Sequence, residues 1–439
     1  MAEPIKVLDV ELSRPLDDLT SLHGYRALQA LVRFHDAPLG YVTVPLLEGR
    51  CSAAALRQTI SRELGPAVVR QLLRHRLALP LPRGGLDFDE LLGTPPADYK
   101  GPMPSVTVAV CTRDRTSGLA KCLDSLVLLD YPDLELLVVD NAPSDDATEK
   151  LVRGRYPDVR YVCEPRPGLD WARNRAIAEA DGEIIAYTDD DAAADPQWVT
   201  ALARVFAEHP EVMAVTGLVV PLELETEAQI RFEQYGGFGR GFAREWFRLD
   251  ARAGADGSHI GAGRFGTGAN MAYRRSVFEH IGTFDPALDV GTETNGGGDL
   301  EMFFRVLQEG YTLVYEPSAV IRHRHRRSYG ELRTQLTNHG IGLYSFFVRS
   351  ARFYPDMRLR IIRFGLWWLW WWDVRRLLIG FARPARMPRD LILAELYGAF
   401  TGLTRYRKAR KSAAEIEAAH GPIEREAGRE DSSVMAAAE

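Results

Sequence analysis

The sequence predicts an α/β protein: a mixed, mostly parallel sheet flanked by helices, with a small α+β unit before it and a helical extension after it. Three observations carry this expectation. From residue 105, β-branched runs alternate with helical stretches of 10 to 15 residues, the texture of βαβ units. Charged clusters fall directly after four successive apolar runs, where parallel sheets present their ligand-binding residues. The segments before about 97 and after about 330 lack this alternation.

The elements follow in order. "IKVLDVEL" and "GYVTVPLL" read as strands from β-branched content and partial alternation, and residues 52 to 75 as one or two helices. Pro and Gly crowd residues 80 to 104, which marks a linker. The expected first unit is therefore 1–97. Next come the strands "SVTVAVCT", "LELLVVDNA", "VRYVCEP" and "EIIAYTD", each followed by a helix. The last of these helices, "DPQWVTALARVFAEH", has Asp195 as its expected N-cap and Pro196 at its first position. Residues 221 to 266 are rich in Gly, Arg and Phe without periodicity and read as a substrate-covering loop region. The central domain is expected at 98–330, a basic, Trp-rich helical extension at 331–411, and a disordered tail at 412–439, where large apolar residues run out.

Composition excludes several classes. The 439 residues, 46% hydrophobic, are enough for two or three domains with ample cores. A net charge of -6 argues against a nucleic-acid binder. Four cysteines without Cys-x-x-Cys spacing read as buried thiols of a reducing compartment. The N-terminus has no signal pattern, and no apolar run reaches spanning length, so the expected location is cytoplasmic.

The chemistry concentrates in two acidic segments. In "EIIAYTDDDAAADPQW", Asp189, Asp190 and Asp191 end an apolar strand. Three adjacent like charges repel, and a divalent cation with oxygen preference relieves them; a solvated acidic turn is the plain alternative. In "TETNGGGDLEMFFRVLQEGY", Asp299 opens an amphipathic helix after three glycines, as either a cap or a base aimed at the same cleft.

With "VAVCTRDR", "LLVVDNAPSDD", "GLDWARNRAI", "GTGANMAYRRSVFEHIGTFD" and these two segments, residues 105 to 327 resemble a family 2 glycosyltransferase of the Rossmann-like GT-A fold. The resemblance implies a sugar transfer from a nucleotide-sugar donor, UDP-linked, to an acceptor hydroxyl with inversion, helped by Mn²⁺ or Mg²⁺. Thr112, Arg113 and Asp114 would line the base and ribose pocket, with Arg113 standing where the family often has an aromatic. Asp140 would accept from the base, and Arg173 would face the nucleotide or its diphosphate. Asp189 and Asp191 would be the metal-binding ends of an Asp-x-Asp motif, with Asp190 nearer the ribose. His323 matches a further metal ligand better than His325. Asp299 matches the catalytic base, although Gly298-Asp299 replaces the usual Glu-Asp and Glu301 the commoner Asp. Arg322, Arg324, Arg326 and Arg327 are available to a leaving diphosphate.

The resemblance implies an acceptor that is a carbohydrate, a small molecule or a lipid-linked molecule. Residues 351–411 bring Trp367, Trp368, Trp370, Trp371 and Trp372 together with many arginines, which suits peripheral contact with the cytoplasmic membrane face. Other classes stay open on residues alone. A sugar-1-phosphate nucleotidyltransferase should carry a Gly-rich phosphate loop after the first strand, and "CTRDRTSG" offers only Gly118. A phosphatase needs its aspartate nucleophile after the first strand, whereas the cluster follows the fourth. A silent carbohydrate-binding scaffold would keep these residues as relics.

Overall fold

The computed structural model describes residues 3–77, 99, 101–249, 258–382 and 388–425. Two sheets organise the chain. The first contains β1 (Ile5–Glu11), β2 (Ala27–Phe34) and β3 (Ala37–Pro45), with β1 parallel and β3 antiparallel to β2. One helix, Ala53–Leu77, packs on it. The linker expected at 80–104 falls largely outside the described residues.

The second sheet has nine strands: β4 (Val106–Thr112), β5 (Leu134–Asn141), β6 (Arg160–Glu164), β7 (Ile184–Asp189), β8 (Ala192–Ala194), β9 (Val212–Pro221), β10 (Glu245–Phe247), β11 (Met271–Arg274) and β12 (Thr312–His323). Their order is β10-β12-β9-β11-β7-β4-β5-β6, with β8 on β12. Strands β7, β4, β5 and β6 are mutually parallel, so their carboxyl ends share one edge. Parallel strands are covered on both faces. Alternate residues therefore go to opposite cores. Val108, Val110, Val138 and Ala186 meet the helices Thr116–Leu126 and Trp198–Glu208; Ala109, Leu137, Val139, Ile185 and Tyr187 share the core of the helix Gly298–Gln308. In Thr116–Leu126 the buried residues Leu119, Cys122, Leu123 and Leu126 follow the i, i+3, i+4, i+7 spacing that one helical face requires.

The helix Leu169–Glu179 differs. It buries Asp170, Arg173, Asn174, Arg175 and Glu179 along with its apolar residues. Buried charge must be paired, so this helix is built for something other than packing.

The C-terminal region is helical: Tyr329–Phe353, Arg358–Trp368, a π-helical turn Leu369–Val374, Arg375–Ala382 and Arg389–His420. The two long helices approach through glycines. A Cβ at Gly340 would sit 2.2 Å from the Glu395 carbonyl, and one at Gly398 2.0 Å from that of Thr337.

Three expectations change. The tail is not disordered from 412: the last helix runs to His420 and the chain stays docked to Arg425, with 426–439 outside the described residues. Its carbonyls at His420, Gly421 and Pro422 accept from buried Arg166, and that of Glu424 from Arg175. The segment 221–266 contains a capped helix, Glu227–Tyr235, and the edge strand β10; 250–257 lie outside the described residues. Asp195 does not cap its helix, which starts after Gln197: its Oδ2 pairs with Arg33 and Arg322, and its Oδ1 accepts from the Gln197 amide at 3.2 Å, ahead of the helix.

Candidate active site

Strand order assembles the acidic cluster. After Asp189 ends β7, the chain turns and pairs as β8 with β12, with Ala192 opposite His323. The Arg324 amide donates to the Asp191 carbonyl at 3.0 Å and fastens the turn. His323 Nε2 thus lies 3.0 Å from Asp191 Oδ1 and 3.6 Å from Asp189 Oδ2. One ligand atom from each of the three residues falls within 4.8 Å of the others. Two carboxylates and an imidazole form a donor set suited to Mn²⁺ or Mg²⁺. His325, the other candidate, is buried and bonded to Glu233 at 2.8 Å, away from the aspartates.

Charge balance explains the titration behaviour. Burial alone would raise the Asp191 carboxyl, but His323 and Arg115 outweigh it and hold it far below the usual carboxylate range. Burial opposes the charged form of His323, yet Asp191 and Asp189 raise it to about 9. Asp190 turns inward, accepts from the Thr112 hydroxyl at 2.7 Å and from Arg115 at 2.6 Å, and is raised by burial to about 6.

The loops after β4 and β5 adjoin. Asp114, at φ +53°, accepts from both the amide and the hydroxyl of Ser144 at 2.9 Å. Arg113 stays exposed beside it. Asp140, one residue before the end of β5, is fully buried, raised by burial and held by the Tyr161 hydroxyl at 2.9 Å.

Asp299 reaches the same edge by a different route. Strand β11 runs antiparallel to β7 with Met271 opposite Tyr187, so the segment before it leads to the end of β7 that bears the aspartates, with residues 267 and 268 beyond that end. The Gly268 amide in that segment donates to Asp299 Oδ2 at 2.8 Å, and the Leu300 amide to Oδ1 at 2.8 Å. The helix bearing Asp299 starts at Gly298, with Gly297 as its cap in the left-handed region at φ +98°, so Asp299 is not the cap.

Arg173, expected to face the nucleotide or its diphosphate, meets carboxylates of the protein. It is buried and pairs with Asp170 at 2.8 Å and Asp289 at 2.5 Å. Its guanidinium adjoins Gly268 and Asp299, so its charge acts on the expected base; no diphosphate-facing position is needed to explain it. Three carboxyl groups, those of Asp170 and Asp289 buried and that of Asp299 half-buried, thus surround one guanidinium. Burial, then the Asp289 charge, raises Asp299 above the ordinary range. Asp170, fully buried, is raised well above it by the same two causes. The Gly298 departure also gains a reason: a Cβ there would lie 2.1 Å from Asp170 Oδ2, so that carboxyl fills the space a side chain would need. Glu301 is buried against Arg305 and Arg349, a structural role.

Asp170, Asp289 and Arg115 carry no expected role from sequence. The i, i+3 spacing of Asp170 and Arg173 in "LDWAR" was the available signal for the first; Asp289 lies 116 residues from its partner.

The chain is similar to several known glycosyltransferases. The model for "Glycosyl transferase family 2" matches residues 107–282. The glucosyl-dolichyl phosphate glucuronosyltransferase of Haloferax volcanii is 26% identical over 235 residues, 50% of this chain and 69% of that protein. The pre-mycofactocin glycosyltransferase of Mycobacterium tuberculosis is 25% identical over 222 residues, 50% of this chain but only 43% of that protein. A solved mannosyltransferase from Pyrobaculum calidifontis, in complex with GDP-Man and Mn²⁺, aligns over 88% of this chain and 90% of its own, at 19% identity and a TM-score of 0.42. With the motifs folded onto one sheet edge and the family model across the strands that build it, residues 107–282 carry a glycosyl transferase family 2 domain, and the chain is similar to named sugar-transferring enzymes.

Proposed function

We propose that this enzyme moves a sugar from a UDP-linked donor to an acceptor hydroxyl with inversion at the anomeric carbon, and that Asp299 is the general base. One observation carries this: Asp299 is anchored by Gly268 on the segment that continues past the end of β7, the strand whose end bears Asp189 and Asp191. An acid–base group and a metal-binding cluster would then share one edge of the sheet. Asp189, Asp191 and His323 would hold Mn²⁺ or Mg²⁺, which supplies charge stabilisation for the departing diphosphate. Asp299 takes the acceptor proton as its oxygen attacks. Its raised pKa makes it a stronger base than a free carboxylate. Thr112, Arg113, Asp114 and Asp140, on the loops after β4 and β5, are the proposed nucleoside contacts.

The test uses a panel of nucleotide sugars with Mn²⁺, scored by thermal shift and by release of nucleoside diphosphate. UDP-sugars should stabilise the protein, and Asp191→Asn should abolish the Mn²⁺-dependent part. NMR of the product bond then decides inversion. Retention, or full activity in Asp299→Asn, removes the base assignment.

A lipid-linked acceptor and peripheral membrane contact belong to the same proposal. Among the described residues no helix is long and apolar enough to cross a membrane. Leu366, Trp367, Trp370 and Trp371 are exposed, with Arg375 stacked on Trp371. Trp372 and Arg376 point inward, to Glu395 and Tyr235, and drop out of the membrane face. Arg383 and Arg386 lie outside the described residues. Flotation with anionic liposomes should carry the protein upward at low salt; no flotation removes this part.

A further inference from the structure

We propose that Arg115 is an exchangeable counterion that sets the order of ligand binding: it competes with the metal for the aspartates and then turns to the diphosphate, so that the two ligands bind tightly only together. This rests on the reading of Asp189, Asp191 and His323 as the metal site.

Arg115 bridges the cluster as a fork. One guanidinium nitrogen donates to Asp190 Oδ1 at 2.6 Å, the other to Asp191 Oδ2 at 2.8 Å. Arg326 adds a weaker contact to Asp191 at 3.4 Å. Two arginines therefore already face Asp190 and Asp191 before any ligand is considered, with His323 on the other oxygen of Asp191. A divalent cation bound to Asp191 shares that carboxylate with Arg115 and is repelled by it at close range. A guanidinium is also a preferred partner of phosphate oxygens.

The geometry permits the exchange. The Arg115 side chain is 44% exposed, whereas those of Asp190 and Asp191 are 5% and 8% exposed. Arg115 stands just before the helix Thr116–Leu126, at φ −128° and ψ 45°, so its side chain can turn without unwinding a helical turn. Asp190 keeps the Thr112 hydroxyl when Arg115 leaves, so no buried carboxylate is left bare. The incoming diphosphate is the anion that Arg115 would follow, and its charge offsets the repulsion between the guanidinium and the metal.

Two affinities should move in opposite directions in Arg115→Ala. Mn²⁺ alone, titrated by loss of its free EPR signal, should bind about tenfold more tightly than to wild type, the scale expected of one half-exposed neighbouring charge. UDP and GDP, titrated calorimetrically at saturating Mn²⁺, should bind at least about tenfold more weakly, the loss of one charge-assisted contact. Arg115→Gln, which keeps most of the side-chain bulk, should reproduce both signs. If Mn²⁺ binding is unchanged or weaker in both variants, Arg115 is a fixed prop and the proposal is wrong. Asp191→Asn separates the underlying reading: if it binds Mn²⁺ as wild type does, the metal site itself is misassigned and this inference goes with it.

Discussion

At the scale of single residues, the expected base and its surroundings make the sharpest predictions. Asp299→Asn should lower kcat about 10²–10⁴-fold with little change in donor affinity, the range for a lost general base. Asp299 must be ionised to act, so activity should fall on the acid side, at a pH above the ordinary carboxylate range. The neighbouring Asp289 charge disfavours that ionisation, while Arg173 favours it. Asp289→Asn removes the unfavourable charge and leaves Arg173 fewer claims on its own. The acid limb of kcat/KM should therefore move to lower pH; a limb that stays in place would show that Asp299 does not govern it. Gly298→Ala pushes a methyl into Asp170 and should cost about 1–3 kcal/mol by overpacking, read as a lower urea midpoint. Asp299 and the aspartate run were legible in the sequence because each sits beside its own local signal, a strand end or a glycine-rich helix start. Asp170 and Asp289 were not, because their meaning lies in a guanidinium that only the fold brings between them.

At the scale of elements, strand pairing does most of the positioning. The alternation of strands and helices from 105 to 209 could be read directly from hydrophobic period, and the observed strands β4 to β7 match it. Cross-strand register could not. That His323, and not His325, adjoins the aspartates follows from Ala192 pairing with His323, a fact of long-range pairing. The Trp-rich segment shows the same limit. Composition marked it, but only packing sorts Trp372 inward to Glu395 from Trp370 outward. Beside Trp372, burial and then the Glu395 charge push the Asp373 carboxyl up to about 8. Its folded pKa exceeds its unfolded value, so its stabilising contribution is full at acid pH and lost as pH rises through about 8. Thermal unfolding at pH 6.5 and pH 9 should show a lower Tm at the higher pH, and Asp373→Asn should flatten that difference. An unchanged difference would place the alkaline loss elsewhere.

At the scale of the whole molecule, the chain's end holds its middle. The carbonyls after the last helix accept from Arg166, whose own carbonyl accepts from Asn141, next to Asp140. Ending the chain at residue 419 would strip buried Arg166 of those acceptors. The expected cost is about 1–3 kcal/mol, seen as a drop in Tm and as faster amide exchange at 164–169. Amide exchange there that matches the full-length chain would contradict it. Composition hid this strap, because an Ala- and charge-rich stretch resembles a solvated tail until its backbone carbonyls find a cation.

The front of the chain is tied in as firmly, and to a more sensitive place. In β12, Arg322 reaches out to Asp9 of the first sheet and to Asp195, which also takes Arg33, while the next residue, His323, turns the other way toward the aspartates. Neighbouring side chains on a strand share one backbone, so a pull on the first is felt by the second. The opening residues therefore behave less as an appendage than as a guy-rope on a metal ligand, and trimming them for convenience would slacken the very imidazole the chemistry needs taut.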